Sequence, residues 1–126
     1  MSEGVTAVTR VFDVLVATVP SDPVDRMIDD LQKDILQQID EHQPRGVVLD
    51  ISNVTTLDSF FARVIAETAD MIALLGGEAI VVGMRPSVAI TAAELGFTFD
   101  GIETARSTDH ALSMLGVTVK GTDVDG

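Results

Sequence analysis

A serine hydroxyl that opens a helix beside a carboxylate can accept a phosphoryl group from another protein, and Asp58-Ser59 has that arrangement. The pair closes the segment Asp50-Ile51-Ser52-Asn53-Val54-Thr55-Thr56-Leu57-Asp58-Ser59. The run before it, Gly46-Val47-Val48-Leu49-Asp50-Ile51, is nearly continuous in apolar residues, as in a strand buried on both faces of a parallel sheet. The following loop is therefore expected at the carboxyl edge of that sheet, where α/β domains place their sites. Asp58 can cap the next helix through its carboxylate. Ser59 then falls in the first turn, beside free backbone N–H groups and the positive end of the helix dipole. A phosphate is tolerated at such a place, because helix N-termini accommodate anions; the residues are equally those of a pair that only starts a helix. Thr55 and Thr56 are further hydroxyls on the loop, either turn residues or secondary phosphoacceptors. Arg63, at the i+4 position from Ser59, could pair with Asp58 or a phosphate, or stand exposed. Phe60 falls off the apolar stripe of its helix, so it either contacts another protein or packs under the preceding loop.

Other chemistries find little support. The absence of Cys removes thiolate nucleophiles, Cys-ligated zinc and disulfides. His42 and His110 lie in no catalytic or metal-binding motif, and no glycine spacing matches a phosphate-cradling loop. Asp50, at a strand end, could be the phosphoacceptor of a receiver-like module. That chemistry requires an acidic pair after the first strand to hold Mg²⁺, and the first strands end without one. No cofactor or metal is expected.

Charge narrows the partners. Twenty acidic side chains against eight basic ones give a net charge of −12, which argues against nucleic acid, whose phosphates are neutralised by Lys and Arg. Asp outnumbers Glu fourteen to six and only Lys33 and Lys120 are lysines. This bias suits either a salt-adapted protein or an ordinary solvated acidic surface. The apolar runs Val14 to Val19 and Ala79 to Val82 fall far short of the ~20 residues that cross a bilayer. Met1-Ser2-Glu3-Gly4 lacks the basic start and apolar stretch of a secretory signal, so a cytoplasmic location is expected.

The elements that must position the loop follow from periodicity and punctuation. Val5 to Val19, broken near Phe12-Asp13, reads as two short strands. Pro20-Ser21-Asp22-Pro23 ends them and offers Asp22 as a cap with Pro23 at the first helical position. Val24, Met27, Ile28, Leu31, Ile35 and Ile39 form the core-facing stripe of a helix that ends near His42. A second helix runs from Asp58-Ser59 to Leu75, with Phe61, Val64, Ile65, Thr68, Met71, Ile72 and Leu75 inward, and stops at Gly76-Gly77. Glu78 to Val82 is a strand, Pro86 to Leu95 a short helix and Gly101 to Ala105 a last strand. Thr108 caps a final helix from Asp109 to Leu115. This alternation predicts one α/β domain over residues 1–116, with helices on a mainly parallel sheet, and a disordered tail over 117–126.

Asp50-Ile-Ser-x-Val-x-x-Leu-Asp-Ser59 resembles the signature of the STAS domain, found in sulphate transporters and anti-sigma factor antagonists. Gly83-Met-Arg-Pro-Ser-Val-Ala-Ile-Thr-Ala-Ala-Glu-Leu-Gly96 resembles the second block of the stressosome branch of this family. The likeness covers about residues 6 to 116. Antagonists of the SpoIIAA and RsbV type usually continue the phosphoserine with Ser and a Gly-Leu-Gly stretch. Here Ser59-Phe60-Phe61-Ala62-Arg63-Val64 follows instead, which is similar to the RsbS-type scaffolds. The expected length also leaves no room for the sensory domain of RsbR-type paralogues. The resemblance implies a non-catalytic protein phosphorylated on Ser59, with an RsbT-type serine kinase, an RsbX-type phosphatase and RsbR-type paralogues as partners in a large homo- and hetero-oligomer. The alternative within the same fold is an anti-sigma factor antagonist that binds an anti-sigma kinase directly.

Overall fold

The computed structural model describes residues 7–97 and 102–117. Two strands, β1 (Ala7–Val11) and β2 (Val14–Thr18), form a hairpin closed by Phe12-Asp13. Then come α1 (Asp25–His42), β3 (Gly46–Asp50), α2 (Ser59–Leu74), β4 (Glu78–Val82), α3 (Pro86–Glu94), β5 (Glu103–Ala105) and α4 (Thr108–Met114). The sheet order is β1-β2-β3-β4-β5; β1 and β2 are antiparallel, and every later pairing is parallel. The α/β architecture with a mainly parallel sheet is the one the alternation of elements predicts.

Both faces of the sheet are covered, which explains why β3 and β4 are apolar apart from Asp50 and Glu78 at their ends. Alternate side chains of a strand point to opposite faces. Leu15, Val47, Leu49, Ala79 and Val81 enter a larger core beneath α1, α2 and α3, whereas Val14, Val48, Ile80 and Val82 enter a smaller one sealed by Ala111, Leu112 and Leu115. Ile28, Leu31, Ile35 and Ile39 of α1 face the larger core as their spacing predicts. Thr68, the buried polar residue of α2, is satisfied twice: its hydroxyl donates to the Val64 carbonyl at 2.6 Å and accepts from Gln32 at 2.9 Å.

Helix ends differ from the sequence reading in four places. Asp22 is not the cap of α1 and Pro23 is not its first residue. Val24, extended at φ −93°, ψ 161°, is the boundary, without a side-chain cap, and Asp25 is the first helical residue. Val24 lies beyond the sheet and is exposed, so an extra turn would gain no burial. Leu75 is exposed for the same reason at the other end of α2, while Ala62 and Ala69 are buried there. Ser107, not Thr108, caps α4, its Oγ accepting from the His110 amide at 3.1 Å. Val117, placed in the tail by sequence, is buried and its amide donates to the Leu112 carbonyl at 2.8 Å. The remaining tail, and Gly101 of the last expected strand, lie outside the described residues.

Candidate functional site

The loop between β3 and α2 is held by its own apolar residues. Ile51, Val54 and Leu57 are buried, so Ser52, Asn53, Thr55, Thr56, Asp58 and Ser59 between and after them are left exposed. The Asp50 carboxylate is engaged at the start of the loop, where Oδ1 accepts from the Ser52 amide at 3.0 Å and the Ser52 hydroxyl at 2.7 Å. The Val54 amide then donates to the Ile51 carbonyl at 3.0 Å. Asp50 is thus a turn-forming residue, with its carboxylate folded back onto the chain.

Asp58 caps α2 as its position predicts. Its Oδ1 accepts from the Phe61 amide at 2.8 Å, and its carbonyl accepts the first helical bond from the Ala62 amide at 3.0 Å. The extended backbone of Asp58, φ −106°, ψ 174°, places Ser59 as the first helical residue. Ser59 is exposed, and among the described residues its hydroxyl has no hydrogen-bond partner.

Arg63 does not pair with Asp58. Its guanidinium carbon stands 6.0 Å from the centroid of the Phe60 ring, within the range of a cation–π contact. Phe60 is half-buried against the larger core, so it packs under its surroundings while offering one side to solvent beside Ser59. The loop–helix junction thus presents a hydroxyl, a carboxylate, a half-buried ring and an exposed cation within six consecutive positions.

A further contact joins the two sequence blocks. Gly83, at φ +77°, lies so close to Ser52 that a Cβ placed on it would meet the Ser52 Cβ at 2.5 Å and Cα at 2.8 Å. The Arg85 Nε–H donates to the Ser52 carbonyl at 3.0 Å. The loop that precedes Ser59 is therefore braced by the β4–α3 connection. Spacing along the chain gives no sign of this contact; it follows from β3 and β4 being neighbours in parallel register, with Asp50 opposite Val82. Among the described residues, no helix is long and apolar enough to cross a membrane, and no group of three or more His, Asp or Glu side chains gathers to hold a metal ion.

Comparison with known proteins agrees with this geometry. The STAS domain family model matches residues 8–111. RsbT co-antagonist protein RsbRD of Bacillus subtilis (strain 168) is 35% identical over 86 residues, which are 68% of this chain and 31% of that protein, so the chain spans about a third of the length of this curated relative. A serine-to-glutamate variant of RsbS from Moorella thermoacetica superposes with a TM-score of 0.80 at 29% identity, covering 88% of this chain and 94% of its own. A chain of the stressosome, described as a signal integration and transduction hub, gives a TM-score of 0.78 at 30% identity, with coverages of 87% and 96%.

Proposed function

This chain belongs to the STAS-domain family, and from that premise we propose that it is a non-catalytic regulatory scaffold of a cytoplasmic, stressosome-type complex. In this reading it sequesters an RsbT-type serine kinase, and phosphorylation of Ser59 releases it. The observation that carries the reading is the free, exposed Ser59 hydroxyl at the first position of α2, with Asp58 already fixed as the cap. The likeness at about 30% identity to RsbS and to a stressosome chain, over nearly the full length of each, supports the scaffold role. The RsbT co-antagonist relatives support an RsbR-type paralogue as co-assembly partner in a homo- and hetero-oligomer. An RsbX-type phosphatase would reset the switch. Asp58, Phe60 and Arg63 form the contact surface for the kinase, and Thr55 and Thr56 on the same exposed loop are secondary acceptors.

Phosphorylation by the cognate kinase, read by mass spectrometry, tests the assignment. Label is expected on Ser59 and is expected to vanish in Ser59→Ala. Undiminished labelling of that variant would overturn the choice of residue. Recovery of an anti-sigma kinase instead of an RsbT-type kinase in a pull-down would favour the direct antagonist.

A further inference from the structure

The sheet has a second end, away from Ser59, where its parallel strands begin. There Gly46 of β3 lies opposite Glu78 of β4. The helices that cross back from the Ser59 end stop beside them, α1 at His42 and α2 at Leu74. A cavity of ≈ 570 Å³ opens between these two helix ends. Ile39, Val47, Ile72 and Leu75 form its apolar walls, and Asp40 stands among its polar lining. Ligand cavities of this size are commonly apolar, with a few polar groups that fix orientation. Leu75 is 58% exposed, so a bound apolar group would cover surface that the fold leaves in water.

The charge left unbalanced around the cavity is negative. The last carbonyls of a helix have no partner within it. At the end of α1 the Gln43 amide, in the left-handed conformation, returns to the Ile39 carbonyl. The next position is Pro44, which has no N–H to offer the Asp40 carbonyl. The Arg45 amide bonds to the Asp13 carbonyl instead of continuing the helix. At the end of α2 the Leu75, Gly76 and Gly77 amides fold back onto Met71, Ile72 and Ala73, while the Glu78 amide turns to the Arg45 carbonyl. Two helices thus bring their negative ends to one place. The Asp40 carboxylate adds a full charge. Among the described residues it enters no ion pair, the pairs being Lys33–Asp29, His42–Glu41 and Arg45–Asp13. Arg45 also borders the cavity, but its guanidinium is engaged elsewhere. Its Nε–H donates to Asp13 at 2.7 Å and its Nη1 to the Leu115 carbonyl at 2.8 Å, and Leu115 belongs to the core on the opposite face of the sheet.

We propose that this cavity binds a small organic cation, a protonated amine carried on an apolar body. An ammonium group has three N–H donors and no acceptor, which matches carboxylate and carbonyl oxygens that lack donors. Its charge meets Asp40 and the two helix ends, and its hydrocarbon part covers Leu75 beside Ile39 and Ile72. Both halves of the ligand are required. An anion with the same hydrocarbon part meets like charge, and a neutral molecule of the same shape gains the apolar contact alone. A bare cation gains only an attraction that ions screen over ~8 Å at 0.15 M, the same attraction that a chain of net charge −12 offers over its whole surface. Monoamines and polyamines share this chemistry. The cavity and Ser59 lie at opposite ends of the sheet, so this site is separate from the proposed phosphorylation.

The test is titration of the full chain with butylammonium, butanol, butyrate and ammonium chloride at constant ionic strength, followed by backbone amide NMR shifts. Butylammonium is expected to give saturable shifts at residues 39–47 and 72–77, with weaker binding of butanol and no saturation by butyrate or ammonium. Spermidine forms a further arm. Tighter binding of spermidine at the same residues would identify a polyamine as the ligand class, and equal or weaker binding would identify a monoamine. Asp40→Asn, which removes no contact that holds the fold, is expected to weaken butylammonium binding about fivefold, or ~1 kcal/mol, and to leave butanol binding unchanged. Absence of saturation by butylammonium and spermidine at tens of millimolar would overturn the proposal. So would equal binding of butyrate, unchanged butylammonium affinity in Asp40→Asn, or shifts spread over the acidic surface instead of centred on the cavity.

Discussion

Asp58 and Ser59 are adjacent, but replacing them should have opposite consequences. Asp58→Ala removes the acceptor of the Phe61 amide, and loss of such a cap destabilises a protein by about 1 kcal/mol. Urea denaturation of both proteins checks this; an unchanged midpoint would mean that water replaces the carboxylate without loss. Ser59→Asp adds a charge where the helix end stabilises one by ~0.3–1 kcal/mol, offset by repulsion from Asp58, so the melting temperature should change little. Capture of the proposed kinase should nonetheless weaken tenfold or more. A partner covering Ser59 must desolvate the new charge beside an existing carboxylate, and ~1.4 kcal/mol already gives a factor of ten. Measured affinities of wild type and Ser59→Asp decide it, and equal values would exclude release by charge. The cap and the exposed serine were legible in sequence because both depend on a few neighbouring residues. The Arg63–Phe60 contact was not, since a cation–ring pair with Phe60 and an ion pair with Asp58 are both available to the same side chain.

Between elements, the close approach of Gly83 to Ser52 has the largest predicted consequence. Gly83→Ala must place a methyl group against the Ser52 backbone while holding φ at +77°. Strain of this kind costs about 1–3 kcal/mol. Gly76, at φ +92° with open space around its Cβ direction, provides the control. Gly76→Ala carries the backbone strain alone, so Gly83→Ala should be the more destabilised of the two in denaturant and should lower the rate of Ser59 phosphorylation. Equal midpoints and equal rates would show that the two sequence blocks do not brace each other. Strand and helix identities were readable from periodicity, and both motifs were visible as separate blocks. Their contact depends on parallel register between β3 and β4, which local pattern does not encode. The misplaced start of α1 has a related cause: Val24 continues the apolar stripe of Ile28 and Leu31, but the sheet it should cover has already ended. The same holds for Leu75 beyond Ile72. Periodicity specifies the face of a helix, whereas the edge of the sheet decides how far that face is used.

Over the whole molecule, charge and topology set the terms on which copies can meet. A chain of net charge −12 repels its like, and ions screen that repulsion over ~8 Å near 0.15 M. The proposed assembly of this chain alone should therefore grow as salt is raised, which light scattering can follow; complete assembly at very low salt would contradict it. The strands stand in the sheet in the order in which the chain presents them. A nascent chain leaving the ribosome thus finds the partner of each new strand already made, and no later strand has to insert between two earlier ones. Each edge nonetheless waits for its partner, and that of β4 stays open while residues 83–102 are synthesised. At ~5–20 residues per second that edge is uncovered for on the order of seconds, until the three residues of β5 arrive to close it.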